Sequence, residues 1–173
     1  ECILSSLKSS GVASFFESND LGRAVVLSEL SGGQADSARV LVEQLPDAFQ
    51  GTFTVFPTDT LFADSTGDLS QNIDKSNIMT VWVQSPTHFN LENPESFGWI
   101  GLADDGVWTA VKKKPTYSDG FVMSGAFTFS SPSLFKKLHE KLSASGVLVN
   151  GERYLDSIVQ AAIDLGVQVQ LFN

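Results

Sequence analysis

The stretch IMTVWVQS, residues 78–85, limits what this chain can fold into more than any other. Its apolar and β-branched residues run on without polar alternation, the composition of a strand buried on both faces. Such a strand needs a sheet covered by helices, and the flanking sequence alternates accordingly. GTFTVFP (51–57) reads as a strand, and FGWIGLADDGVWTAV (97–111) reads as two strands joined at Asp104-Asp105-Gly106, a hairpin signal. GFVMSGAFTFS (120–130) is a further strand. Ser131 and Pro132 then open a helix as N-cap and first residue, with Leu134, Phe135, Leu138 and Leu142 on its apolar face and Gly146 stopping it. A last helix carries Leu155, Ile158, Val159, Ala162 and Ile163, Gly166 closes it, and VQVQLF (167–172) is a terminal strand.

The first third reads as more helical. ECILSSLKSSG places Ile3, Leu4 and Leu7 at helical spacing with Gly11 as its C-cap. VASFF (12–16) is a short apolar run, Ala24, Val25 and Leu27 suit a short helix, and Ala38, Leu41, Val42 and Leu45 suit another. Residues 63–77 are polar, as in a surface loop or short helix. Together these segments predict an α/β sandwich built on a mixed, mostly parallel sheet with helices on both faces, as one domain over residues 1–173.

A net charge of −9 argues against nucleic acid and anionic membrane surfaces as partners. Cys2 is the only cysteine, which rules out an internal disulfide and a thiolate zinc cluster. No apolar run approaches a membrane span and the first residues do not read as a signal peptide, so a cytoplasmic protein is expected. His88 and His139 read as surface residues outside any Ser/His/Asp or zinc constellation, which sets hydrolases and metalloproteases aside. Trp82 reads as core, and Trp99 as a ring able to flank a sugar.

Asp59, in FTVFPTDTLF (53–62), is the carboxylate that stands out. It follows the end of a buried strand, where it serves either as a turn or helix cap or as a ligand to a hard cation. Gly22 suits close backbone approach to a planar base, or a plain turn, and Arg23 beside it suits a phosphate or solvent. The run KKKP (112–115) holds three of the eleven Lys and Arg residues, either as a solvated basic turn or as an anion contact. Glu152, after Asn150-Gly151, suits the N-terminal end of a helix as well as a ligand hydroxyl, and Asp156 reads as part of the first turn that follows.

Four segments in order resemble the sugar-1-phosphate nucleotidyltransferases, the nucleotide-sugar pyrophosphorylases. DLGRAVVL (20–27) is similar to the family's Gly-containing turn that opens a helix against the nucleotide base. VFPTDTLF is similar to its strand ending in a metal-binding aspartate, and SFGWIGLADDGVWTAVKKKP (96–115) to its hairpin ending in Glu-Lys-Pro. The last segment, from GFVMSGAFTFSSPSLFKKL to NGERYLDSIVQAAIDLGVQVQLF, resembles its later strand, helix, glutamate, short helix and final strand.

The resemblance implies a Rossmann-like nucleotidyltransferase sandwich, of the nucleotide-diphospho-sugar transferase kind. The implied reaction forms an NDP-sugar and pyrophosphate from an NTP and a sugar 1-phosphate, with Mg²⁺, in carbohydrate biosynthesis. It implies Asp59 as catalytic metal ligand and Lys114 as the cation on the sugar phosphate. It implies Gly22 and Arg23 on the nucleotide, and Gly98 and Glu152 on the sugar. Phe97 replaces a tyrosine, and Lys113 stands where the family carries a glutamate, which points to a different sugar or a changed contact. The family's Gly-rich loop with its Arg and Lys would precede Glu1, and its second metal aspartate would follow Asn173. The chain therefore reads as the middle and later part of such a domain, inactive on its own. A non-catalytic nucleotide or sugar-phosphate binder of the same fold, and a glycosyltransferase-like nucleotide-sugar binder, stand as alternatives, and self-association is left open.

Overall fold

The structure is a computed structural model that describes residues 3–7, 12–20, 22–57, 77–103, 106–111 and 120–173. Strand β1 (Ile3–Leu7), helix α1 (Val12–Ser18) and strand β2 (Arg23–Leu27) open the chain. The two strands pair in parallel, from Ile3 opposite Arg23 to Leu7 opposite Leu27. Both were expected to be helices. Helical spacing of a few apolar residues is outweighed here by the β-branched Val25 and Val26, and by a parallel partner that a crossover helix makes reachable. VASFF is that crossover helix.

Helix α2 (Gln34–Val42) and strand β3 (Phe53–Val55) follow, then β4 (Ile78–Gln84), the short helix α3 (His88–Glu92), β5 (Gly98–Ala103), β6 (Gly106–Val111) and β7 (Phe121–Phe129). Helices α4 (Pro132–Ser145) and α5 (Ile158–Asp164) and strand β8 (Gln168–Phe172) complete the order, with a 3₁₀ turn at Leu155–Ser157 ahead of α5. Among the described residues the main sheet has six strands, in the order β6-β5-β7-β4-β8 with β3 also on β7. β4 lies parallel to β8. The other described pairings, β3 and β4 with β7, β5 with β6 and β5 with β7, are antiparallel. The architecture is thus mixed α/β, and the described pairings do not give the mostly parallel sheet expected from the alternating elements. Hairpin β5–β6 and the antiparallel central strand β7 account for the difference.

The double-faced strand is where the sequence placed it. Residues 78–83 of β4 are all buried, between β7 and β8. Phe53, Phe129 and Phe135 form a ring cluster with centroid distances of 5.3, 6.0 and 5.0 Å, joining β3, β7 and α4. The polar groups in this core are matched. The Trp82 indole N–H donates to Thr128 Oγ1 at 3.0 Å, and Thr128 and Thr54 share a hydroxyl hydrogen bond of 2.8 Å across the strands. Trp82 is core, as expected.

Helix α4 begins and ends as its sequence dictates. The Ser131 hydroxyl accepts from the Leu134 amide at 3.2 Å, Pro132 takes the first turn, and Gly146 ends the helix in a left-handed conformation, φ 67°. His139 departs from expectation. It is buried, at 7 % exposure, because it lies one turn beyond Phe135 and beside Leu142 on the face that packs inward. Trp99 is also core, at 2 % exposure, and its indole N–H donates to the Pro94 carbonyl at 2.7 Å, so its ring is not free to flank a sugar.

Candidate functional site

The segment that links the pieces of the candidate site runs from Glu152 to Asp156. It is launched by a tight hairpin in which Val149 and Glu152 exchange both backbone hydrogen bonds, at 2.8 and 3.0 Å. Asn150 and Gly151 between them have φ of 52° and 82°, the left-handed pair that a two-residue hairpin turn requires and that Asn-Gly supplies. Glu152 is exposed on this hairpin, ahead of the 3₁₀ turn and not within a helix terminus.

Arg153, the next residue, docks against the loop before α2. Its amide donates to the Gly32 carbonyl at 2.8 Å, and its carbonyl accepts from the Ala35 amide at 3.0 Å. The approach is so close that a Cβ on Gly33, whose φ is +132°, would lie 2.6 Å from the Arg153 backbone nitrogen and oxygen. Gly33 is therefore demanded by chain packing and by conformation together.

The Arg153 side chain turns to Asp36 on α2, its Nη1 donating to Oδ2 at 3.0 Å. The other carboxylate oxygen, Oδ1, lies 2.7 Å from His139 Nε2 on α4. Burial pushes the Asp36 carboxyl upward. The hydrogen bonds from His139 and Arg153, and their charges, outweigh burial and hold it below its ordinary value. This Asp36–His139–Arg153 cluster ties α2, α4 and the hairpin segment together. It was not anticipated. The spacing of His139 from Phe135 and Leu142 could have revealed its burial, but no local signal names partners that lie 103 and 117 positions apart.

At its other end the segment reaches the main sheet. The Asp156 carboxylate, in the 3₁₀ turn, occupies the space where a side chain on Gly98 would point, and a Cβ there would also lie 2.7 Å from Met123 Cε. Gly98 opens β5 opposite Val111, the last residue of β6 before KKKP. Two residues beyond Met123 on β7, Gly125 adopts φ +82° and makes room for Pro57, whose Cγ lies 3.2 Å from an ideal Cβ at that glycine. Pro57 lies two residues beyond the end of β3 and is the last described residue before Asp59. Met123 to Gly125 on β7 thus gather Gly98, Asp156 and Pro57, with the end of β6 one strand further out, opposite Gly98.

The predicted residues fall into three groups. Gly98 and Glu152 lie at the two ends of one connected arrangement, through Asp156 and Arg153. Gly22 and Arg23 belong to the separate two-stranded sheet, at the start of a strand and not of a helix. Gly22 is half-buried with φ 142°, and the exposed Arg23 donates to the Gln44 carbonyl at 3.3 Å. Asp59 and Lys114 lie outside the described residues. Among the described residues no group of three His, Cys, Asp or Glu side chains could hold a metal ion, and no helix is long and apolar enough to cross a membrane.

No protein-family model matches this sequence, and no curated protein matches it. A solved structure does. It is a "putative glucose-1-phosphate thymidylyltransferase" from Bacillus anthracis in complex with a sucrose, similar with a TM-score of 0.68 at 19% identity over 99% of this chain and 67% of that one. This chain shares the fold of that structure. The likeness extends over nearly every residue, so the β1–α1–β2 unit, the six-stranded sheet and the returning α4–α5–β8 segment belong to one architecture of that kind. At this identity the nucleotidyltransferase likeness is one of fold.

Proposed function

We propose that this chain is a nucleotidyltransferase domain that joins a nucleoside triphosphate to a sugar 1-phosphate, giving an NDP-sugar and pyrophosphate. The observation that carries the reading is the gathering around Met123–Gly125. Gly98, Pro57 (two residues before Asp59 in the sequence) and Asp156 of the segment after Glu152 belong to distant stretches of sequence, yet they meet along one strand, and the strand end preceding KKKP pairs with Gly98 beside it. The fold likeness to the Bacillus anthracis structure supports it further.

In this reading a phosphate oxygen of the sugar 1-phosphate attacks the α-phosphorus in line, and the bond from that phosphorus to the bridging oxygen breaks. The electron pair leaves with pyrophosphate. Such a reaction depends on positioning and charge neutralisation more than on covalent catalysis. Glu152, exposed on its hairpin, accepts hydrogen bonds from sugar hydroxyls, and Gly98 presents backbone to the sugar. Lys114 neutralises the sugar phosphate, while Gly22 and Arg23 receive the nucleotide. Mg²⁺ supplies charge neutralisation on the phosphates, with Asp59 as the residue that would hold it. Asp36 does not add to that site, since it is engaged by His139 and Arg153.

The test is pyrophosphate release by the full-length protein with UTP, dTTP, ATP, CTP or GTP against glucose, mannose and N-acetylglucosamine 1-phosphates, in Mg²⁺. One pair is expected to turn over, and Asp59→Asn is expected to lower that turnover at least about 100-fold with an unchanged circular dichroism spectrum. Silence with every pair would sink the enzyme reading. Lys113, standing where a glutamate is expected, favours a second reading in which the fold binds a sugar phosphate or nucleotide without turnover. Saturable binding of one of these compounds without pyrophosphate would select it.

A further inference from the structure

Glu152 is exposed on a two-residue hairpin, and an isolated hairpin of this size has little stability of its own. Something must hold it in place if its carboxylate is to meet a ligand at a fixed position. The residue beside it does so in two ways. The Arg153 backbone pairs with Gly32 and Ala35, and its guanidinium pairs with Asp36, whose second oxygen is held by the buried His139. Gly32 belongs to the same fitting, because a Cβ there would strike the Asp36 carboxylate and lie 3.2 Å from Arg153 Nη1. Loop, helix α2, helix α4 and hairpin therefore meet at one charged joint.

We propose that Arg153, anchored by Asp36 and His139, is the positioning residue that fixes Glu152 for sugar binding. The proposal rests on the reading of Glu152 as a sugar contact. The Arg153 bond to Asp36 runs from Nη1, and Nε is buried without a hydrogen-bond partner among the described residues. A lysine that reaches Asp36 consequently replaces much of what the arginine does, whereas a methionine keeps the apolar stem and removes the charge.

The experiment compares Arg153→Met and Arg153→Lys with the parent in the full-length protein, by native-state hydrogen exchange and by steady-state kinetics on the active substrate pair. In Arg153→Met the amides of Ala35, Glu152 and Arg153 are expected to exchange about tenfold faster, the scale of one lost charge-assisted hydrogen bond, with the amides of β4 and β7 unchanged. KM for the sugar 1-phosphate is expected to rise about five- to tenfold, while kcat and KM for the nucleotide stay within about twofold. Arg153→Lys is expected to recover most of both effects. Unchanged exchange in Arg153→Met overturns the proposal, and so does faster exchange with an unchanged KM for the sugar phosphate. A parent protein that turns over no pair overturns the functional reading, and the role given to Arg153 falls with it. A parent that turns over while Arg153→Met leaves exchange unchanged overturns only the proposal.

Discussion

The aromatic core and the charged joint hold neighbouring parts of this molecule by opposite means. In the core, Phe53, Phe129 and Phe135 stack between β3, β7 and α4, and Phe135 is fully buried. In the joint, Asp36, His139 and Arg153 connect α2, α4 and the Glu152 hairpin with two hydrogen bonds to one carboxylate. The two regions touch, since the Phe135 and His139 rings lie 6.2 Å apart on α4. Burial without direction gives the first region bulk stability, while directed bonds give the second its register. The sharpest way to separate them is to damage each alone. Phe135→Ala is expected to cost about 3–5 kcal/mol in urea unfolding, from lost transfer energy and the cavity left behind. A cost below about 1 kcal/mol would mean that the core closes over the gap, and the contrast would fail.

A smaller effect is expected where backbone meets backbone at the joint. Gly33→Ala forces a Cβ to 2.6 Å from the Arg153 nitrogen and oxygen at φ +132°, so either the turn relaxes or the hairpin segment moves away. The expected cost is about 1–3 kcal/mol, with faster hydrogen exchange at Ala35 and Arg153 and no change in the β4 amides. An equal rise in exchange across β4 would show that joint and core unfold together and are not separate regions.

These regions also differ in how readable they were. β4, β7, α4 and β8 follow from residues close together in sequence, because the period of apolar positions and the caps at Ser131 and Gly146 are local signals. The misread elements, β1 and β2, are short strands whose identity depends on each other and on the crossover α1. Spacing within ILSSL or RAVVL alone carries no record of that pairing. The candidate site was legible in part. Glu152 and Asp156 fall at the two ends of one segment, and the Asp156 carboxylate lies in the space that a Cβ on Gly98 would take. Arg153, Asp36 and the inward face of His139 were missed because a polar joint has no periodicity. A histidine also reads as surface until its partner is known.

The smallest effect tests the joint through its protons. The Asp36 carboxyl is held below its ordinary value of 3.8 in the folded protein, against the upward push of burial, by His139 and Arg153. A group whose pKa is depressed by folding stabilises the fold fully above its unfolded value. As pH falls through 3.8 the unfolded chain takes up the proton first, and the contribution fades toward the folded value. Asp36→Asn should therefore unfold more readily than the parent at pH 7, by about 1 kcal/mol for a partly exposed ion pair. The difference should hold down to about pH 5 and shrink below pH 4. Urea unfolding of both proteins at pH 7, 5, 4 and 3 makes the comparison, with Phe135→Ala as a control whose deficit this carboxylate does not govern. If the Asp36→Asn difference stays constant to pH 3, the carboxylate does not draw its stability from the charges of Arg153 and His139. The joint would then be held by the backbone pairing of Arg153 with Gly32 and Ala35, and the contrast between the two regions would reduce to one of backbone against side-chain packing.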